Sequence, residues 1–501
     1  MDEVATSERH GFWNWTWSSK RTLVIAAVIA TALVATRLLW DRFLDPFEDG
    51  YQNWWIASSF AQTGKYGDMY SGMTRGNWLP GYYAMAAPLV IAFGGHIMAL
   101  LKAVNVLFSL GTAAIVYMLA RPRSREVAVL AAVLFALNPA DLVISSYATP
   151  DALSLYVTFA GVLLVERRLL GARQSLAFAS VFFLFASALR YETWGFLAVY
   201  LLWTWRSKKL TTRQLTLLAA PALVFIGAWW AWTSQYGFLP SIIVNQTSAD
   251  VRYKASIGLL PSAWDRVASF LAWYVMWTPF AVLAIIWALK AERRTAFTGI
   301  LLMFYLAVVA YTSLGFGNPS ARYIHLTVPI VCIYSASALV ALKGWLARRF
   351  EHAPRFSLHA PVAAALGLSL LLVVVVENPT PTPGTMLQGM QRAGEYLNGL
   401  SLPEGKLLLS ESPIAAYYSG FPASRIIGST FLPADPGSAV SYLVDNVAYV
   451  VMVTVPYYQL RTLFPDQANG VNGNHLQLLY DATGVEFNLG APRVLVFRVV
   501  P

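Results

Sequence analysis

The chain has 501 residues, of which 57% are hydrophobic and only 12% charged. Soluble domains average about 45–50% apolar and about 25% charged, so the composition excludes an ordinary soluble protein. The formal charge of +10 invites a nucleic-acid reading, but the placement of the basic residues, below, argues against it. The single cysteine, Cys332, excludes an intramolecular disulfide, a Cys-based zinc site and a CxxC redox pair.

A membrane-spanning helix needs about 20 mainly apolar residues. The apolar runs fall at roughly 22–43, 97–119, 127–146, 148–165, 174–189, 191–205, 214–233, 267–289, 296–315, 323–342 and 358–376. The first is too long for a signal-peptide core and is read as a retained helix. Lys and Arg concentrate in short cytoplasmic loops of membrane proteins. Here the clusters are Arg121/Arg123/Arg125, Arg167/Arg168/Arg173, Arg206/Lys208/Lys209/Arg213, Lys290/Arg293/Arg294 and Lys343/Arg348/Arg349/Arg355. Setting all of them on one face predicts eleven spans, with a cytoplasmic N-terminus and an extracytoplasmic C-terminus. The positive charge is then a topology signal, and nucleic acid is no partner.

The same rule puts 44–96, 138–150, 190–192, 234–266, 316–322 and everything after 377 on the opposite face. The first of these loops opens with Asp45-Pro46-Phe47-Glu48-Asp49-Gly50-Tyr51 and continues through Trp54-Trp55 as a helix-like stretch to Gln62. A carboxylate at a low-dielectric boundary has its pKa pushed up, and a nearby cation pulls it down. That tension suits a general base. Asp49 is the first candidate, with Glu48 as its tuning neighbour or a cation ligand, while Asp45 before Pro46 only terminates the helix. Against this stands an ordinary solvated loop. Tyr51, Trp54 and Trp55 either line a sugar or lipid site or anchor an interfacial aromatic belt.

In the next outer loops, Asp141 follows Asn138-Pro139 as a turn or cap residue. Asp151 follows Thr149-Pro150 either as a helix start, where a carboxylate meets the positive helix end, or as part of the same polar site as Asp49. Arg190 and Glu192 interrupt two apolar runs. Arg190 either binds phosphate with its fork of donors or pairs internally with Glu192 or another carboxylate. Arg322-Tyr323 opens the tenth span, where Arg322 either holds phosphate or snorkels to the interface. His325 reads as structural, and no HxxH or HExxH spacing assigns a metal. Paired carboxylates still suit a hard divalent cation, with Glu48, Asp49 and Asp151 as its ligands if one binds.

From Glu377 the composition changes. Pro379, Pro381 and Pro383 form a stiff linker. Residues 385–400 read as an amphipathic helix, 439–446 as a second helix, and 406–410, 449–455, 476–480 and 493–499 as short strands. The chain is thus read as a polytopic α-helical membrane domain, 1–376, and a small extracytoplasmic α/β domain, 377–501. The latter has no glycine-rich phosphate loop and no Ser/His/Asp grouping.

Order and topology together resemble the GT-C superfamily of membrane glycosyltransferases, in the branch of protein O-mannosyltransferases and lipid A aminoarabinose transferases. The resemblance rests on Glu48-Asp49-Gly50-Tyr51, Gly64-Lys65-Tyr66-Gly67, Trp78-Leu79-Pro80-Gly81-Tyr82 with Pro88, Asp151, and Arg322-Tyr323 before Pro329, and it covers the membrane region. The familiar Asp-Glu order is reversed, which leaves Glu48 as an alternative base. The absence of a Trp-Trp-Asp motif in 377–501 counts against block transfer of an oligosaccharide to Asn. The resemblance implies a prokaryotic cell-membrane enzyme that moves a mannose-like or other hexose or pentose unit, with inversion, from a polyprenyl-phosphate donor to a hydroxyl of a lipid, glycan or protein. It implies Asp49 or Glu48 as base, Arg190, Arg322 and Tyr323 at the donor phosphate, and Tyr51, Asp151, Glu192 and Trp78 along the substrates. The rival reading is a lipid or sugar transporter or flippase. Transporters are commonly built from repeated halves, and no internal repeat is evident here.

Overall fold

The computed structural model describes residues 27, 30–31, 34–37, 49–64, 79–95, 97–233, 262–313, 321–349, 366–368, 371, 386–454, 459–482 and 493–501. Asp45, Glu48 and Trp78, the linker 377–385, and most of the first and last apolar runs lie outside them.

The segment 44–96, expected as a loop, is helical over much of its described part. It holds α1 (Asp49–Thr63) and α2 (Gly81–Phe93), the second of which contains Pro88 and lies outside the expected spans. Next come α3 (Met98–Ala120), α4 (Arg125–Ala136), α5 (Pro139–Ser146), α6 (Asp151–Arg167), α7 (Ala172–Ser187), α8 (Glu192–Arg206) and α9 (Thr212–Thr233). They are followed by α10 (Ala263–Trp277), α11 (Ala281–Ala291), α12 (Ala296–Ser313), a 3-10 turn (Ala321–Thr327) and α13 (Val328–Arg349).

Among the described residues, four stretches are long and apolar enough to cross a membrane: Met98–Ala120, Thr212–Thr233, Ala296–Ser313 and Arg322–Arg349. Counting each bent helix pair as one span raises this to six. The apolar runs at 148–165, 174–189 and 191–205 form helices of 17, 16 and 15 residues. Each falls short of the roughly 20 residues that a straight span needs. The run 127–146 is two helices bent by 51°. Pro139 has no N–H to continue α4, and Asn138 accepts from the Ala140 N–H to cap α5 instead. Outward-facing side chains such as Leu107, Leu217, Val224 and Leu306 are exposed, while the inward side packs into a large core, with a second core beside α1 and α2.

Residues 386–501 contain α14 (Met386–Asn398) and a five-stranded sheet of order β2-β1-β3-β5-β4. Its strands are β1 (Leu407–Ser410), β2 (Ile426–Ile427), β3 (Val447–Val453), β4 (Leu476–Asp481) and β5 (Val494–Val499). β1 runs parallel to β2 and β3, and β5 runs antiparallel to β3 and β4. All seven β3 residues are buried, as expected of an apolar strand covered on both faces. Val450 and Met452 face a core closed by α16 (Pro436–Asn446), whereas Val451 and Val453 belong to a core shared with Tyr51, Trp54 and Trp55 of α1. The sheet is therefore packed onto α1. The link is α15 (Pro413–Tyr418), whose N-terminus is capped by Ser412.

Candidate functional site

Four segments bring ionised side chains to one place. Asp49 and Asp151 are the first residues of α1 and α6, where the positive helix end favours a carboxylate. Arg190 sits in the turn between α7 and α8, and Glu192 opens α8. That turn is shaped by Thr193, whose hydroxyl reaches the Ala186 and Arg190 carbonyls at 2.9 and 2.6 Å. Arg322 lies on the 3-10 turn before α13.

Arg322 Nη1 donates to Asp49 Oδ2, while its Nη2 and Nε reach Asp151 Oδ2 at 3.0 and 3.2 Å. Arg190 forks onto Glu192, with Nη2 to Oε1 at 2.6 Å and Nε to Oε2 at 3.1 Å. Its Nη1 lies 3.5 Å from Asp151 Oδ1, an ion pair too long for a good hydrogen bond. The Asp151 side chain is fully buried and Asp49 is 32% exposed. A buried carboxylate without partners costs several kcal/mol, on the order of 3–5 when a pair is broken. Two guanidiniums on Asp151 meet that cost. Among the described residues, three carboxylates against two arginines leave an excess of negative charge; Asp151 is held by both arginines, while Glu192 and the more exposed Asp49 are each held by one. Of the two readings for Arg190, internal pairing with Glu192 describes this structure.

The approach to Asp151 is held by asparagines that sequence reasoning missed. Asn105 Nδ2 donates to the Tyr147 and Thr149 carbonyls at 2.5 and 2.9 Å. Asn53 Nδ2 reaches the Ala148 carbonyl at 3.3 Å and its Oδ1 accepts from Tyr83 at 2.8 Å. Gly81 donates to the Ala188 carbonyl at 2.7 Å, two residues before Arg190. For Asn105, its place within the apolar run 97–119 was the available signal, since buried polar groups in membrane segments need partners.

His325 contacts the network through the backbone: Nδ1 meets the Arg322 carbonyl at 2.5 Å. A carbonyl only accepts, so Nδ1 carries the proton, and the imidazole supports the turn that presents Arg322. Tyr323 packs against Tyr311, with ring centroids 5.9 Å apart.

Three expectations change. Trp54 and Trp55 are 2% and 1% exposed, buried in the core rather than serving as belt anchors or an open sugar platform. Tyr51 is 3% exposed and packed against Tyr417 and Tyr418, which a reading of local sequence misses because the partners lie far along the chain. Asp141 is more than a turn residue. Its Oδ2 accepts from Arg37 Nη2 and from Ser109, both at 2.5 Å, in a fully buried site. Arg37 also donates to Ser145 and to the Ala136 carbonyl at 3.0 and 2.7 Å. Arg37, inside the first apolar run, was the overlooked partner.

No protein-family model matches the chain, and a search of curated proteins finds no match. Solved structures do match. ArnT from Cupriavidus metallidurans bound to undecaprenyl phosphate has a TM-score of 0.61 at 13% identity, covering 96% of this chain and 98% of that one. The oligosaccharyltransferase AglB from Archaeoglobus fulgidus, with an inhibitory peptide and a dolichol-phosphate, has a TM-score of 0.54 at 13% identity over 95% of this chain and 76% of that one. A complex of the Archaeoglobus fulgidus oligosaccharyltransferase with Zn and sulfate gives 0.53 at 14% identity, over 86% and 68%. The chain has the GT-C fold that its motifs resemble. Among its described residues, no group of three or more His, Cys, Asp or Glu side chains is arranged to hold a metal ion. Asp151, the most buried acid of the network, is already engaged by two arginines. Among the described residues, this arrangement does not fit a metal centre; Glu48 lies outside them.

Proposed function

We propose that this GT-C-fold chain is a membrane glycosyltransferase that moves one sugar from a polyprenyl-phosphate donor to an acceptor hydroxyl. The observation that carries the proposal is the Asp49–Arg322–Asp151–Arg190–Glu192 network, assembled at the starts of α1, α6 and α8 and at two turns. Similarity in fold to a structure that holds undecaprenyl phosphate and to one that holds a dolichol-phosphate supports a polyprenyl-phosphate donor.

In this reading Asp49 is the base. It takes the proton of the acceptor hydroxyl as that oxygen attacks the anomeric carbon. The bond from that carbon to the phosphate oxygen breaks with inversion, and polyprenyl phosphate leaves with the electron pair. General-base assistance contributes about 10²–10⁴-fold. Arg322, with Arg190 and Tyr323 beside it, meets the charge developing on phosphate. An entering phosphate competes with Asp49 for Arg322. Donor binding therefore draws the guanidinium from the carboxylate and leaves Asp49 free to accept a proton. Asp151 keeps both arginines oriented, and Glu192 fixes Arg190. Glu48 remains the alternative base, and Trp78 the proposed substrate-side aromatic.

The eleven-span topology, the division at 376/377, the extracytoplasmic C-terminal domain and a prokaryotic cell membrane belong to the same proposal. Mass spectrometry of envelope lipids, glycans and glycoproteins tests it. Cells lacking the gene should lose one sugar from one glycoform, restored by wild type and not by Asp49→Asn. A null strain with unchanged glycoforms and altered uptake or export of a lipid-linked sugar would favour the transporter.

A further inference from the structure

The C-terminal sheet does not hang free of the proposed site. α15 reaches α1, the helix that begins at Asp49. The Tyr417 ring stands edge-on to Tyr51, with centroids 5.4 Å apart at 62°, and to Trp54, 4.9 Å apart at 90°. Tyr418 lies 6.0 Å from Tyr51 and its hydroxyl is 3.4 Å from the Tyr51 hydroxyl. At the far end of α1, the Gln62 side chain accepts from the Ser424 N–H at 2.9 Å. Behind α15, a Cβ on Gly394 of α14 would lie 2.6 Å from both the Ala415 carbonyl oxygen and Tyr418 Cβ, so α15 is seated against α14 without slack.

We propose that α15 is a clamp on α1 and that Tyr417 is a positioning residue for Asp49. The physical reason is leverage. Asp49 is two residues from Tyr51 and five from Trp54, on the same helix. A ring wedged between those two side chains fixes both the rotation and the height of the first helical turn. Edge-to-face aromatic contacts have a preferred geometry, so they hold orientation as well as exclude water. A misplacement of about 1 Å at a reacting group can cost on the order of 10²-fold in rate. Loss of the wedge is therefore felt at the carboxylate, although Tyr417 touches no reacting atom. The catalytic consequence rests on the transferase reading above; the mechanical one does not.

The test uses full-length protein in lipid nanodiscs, with Tyr417→Ala and the ring-preserving Tyr417→Phe. Two quantities are read: amide hydrogen exchange of the α1 segment, and transfer from a synthetic polyprenyl-phosphate sugar. Exchange of β3 and β5 serves as the folding control. In Tyr417→Ala, α1 exchange should rise at least tenfold while β3 and β5 stay protected. The kcat should fall tenfold or more with the donor KM within about twofold, and Tyr417→Phe should restore both. In an Asp49→Asn background, Tyr417→Ala should remove little further activity, because the two changes act through one group. Unchanged α1 exchange in Tyr417→Ala overturns the clamp. A rate loss that adds in full to that of Asp49→Asn overturns the positioning role. Raised α1 exchange in a protein whose wild type transfers no sugar supports the clamp and overturns the transferase reading instead.

Discussion

Arg322 and Asp49, 273 residues apart, are joined by an ion pair, and the same guanidinium holds Asp151 on its other edge. One planar fork thus serves two carboxylates, which an ammonium cannot reproduce. Arg322→Lys should lower kcat/KM by about 10²–10³-fold, the scale of losing one preorganised donor at a developing charge. The folded yield should stay near wild type, because Arg190 still neighbours Asp151. Steady-state transfer assays with a monodispersity check read both.

The Arg37–Asp141 pair lies wholly out of solvent. Removing one partner strands a buried charge, so Asp141→Ala should destabilise the chain by about 3–5 kcal/mol. Replacing both with apolar residues, Arg37→Met with Asp141→Leu, should recover much of that loss. Thermal unfolding in a fixed detergent compares the single and double variants. A double variant worse than both singles would contradict a mainly structural pair.

Glu411, at the end of β1, accepts from the Val453 N–H at 3.1 Å and the Leu460 N–H at 2.9 Å. Burial pushes its carboxyl up to about 7, despite these donors and Ser429. The unfolded carboxyl loses its proton near 4.5. Between those values the folded state holds the extra proton, so stability falls as pH rises from about 4.5 to about 7 and is level above. The span corresponds to roughly 3 kcal/mol. Denaturant unfolding of the sheet, followed against pH, should show wild type losing stability relative to Glu411→Gln across that window. A constant difference would contradict the shift.

A Cβ on Gly81 would lie 2.7 Å from the Ala188 carbonyl oxygen, the atom to which the Gly81 N–H donates. Gly81→Ala must part α2 from the turn that carries Arg190. Overpacking of this kind costs about 1–3 kcal/mol, and activity should fall more than stability. A joint measurement of melting temperature and kcat separates the two.

Much of this was legible locally. The short apolar runs around Leu408, Val450, Leu478 and Val496 became strands within a few residues of expectation, because short apolar runs bounded by turn residues suit strands. Asp49, Asp151, Arg190 and Arg322 stood out because ionised groups at the ends of apolar runs are costly without partners. Their mutual pairing was not legible, since it is fixed by how α1, α6, α8 and the turn before α13 pack. β2 is only two residues long and carries no period. The burial of Tyr51 and Trp54 depends on Tyr417, far along the chain, and no local rule separates that from an interfacial belt.

The most direct measurement is single-turnover transfer by purified protein from a polyprenyl-phosphate sugar, with wild type, Asp49→Asn and Asp49→Glu at equal folded amounts. If Asp49 is the base, Asp49→Asn should slow the chemical step by about 10²–10⁴-fold. Donor binding should hold or tighten, because Arg322 is released from its carboxylate, and Asp49→Glu should keep part of the rate. Transfer by Asp49→Asn at the wild-type rate would contradict the assignment and pass the role to Glu48 or to another group.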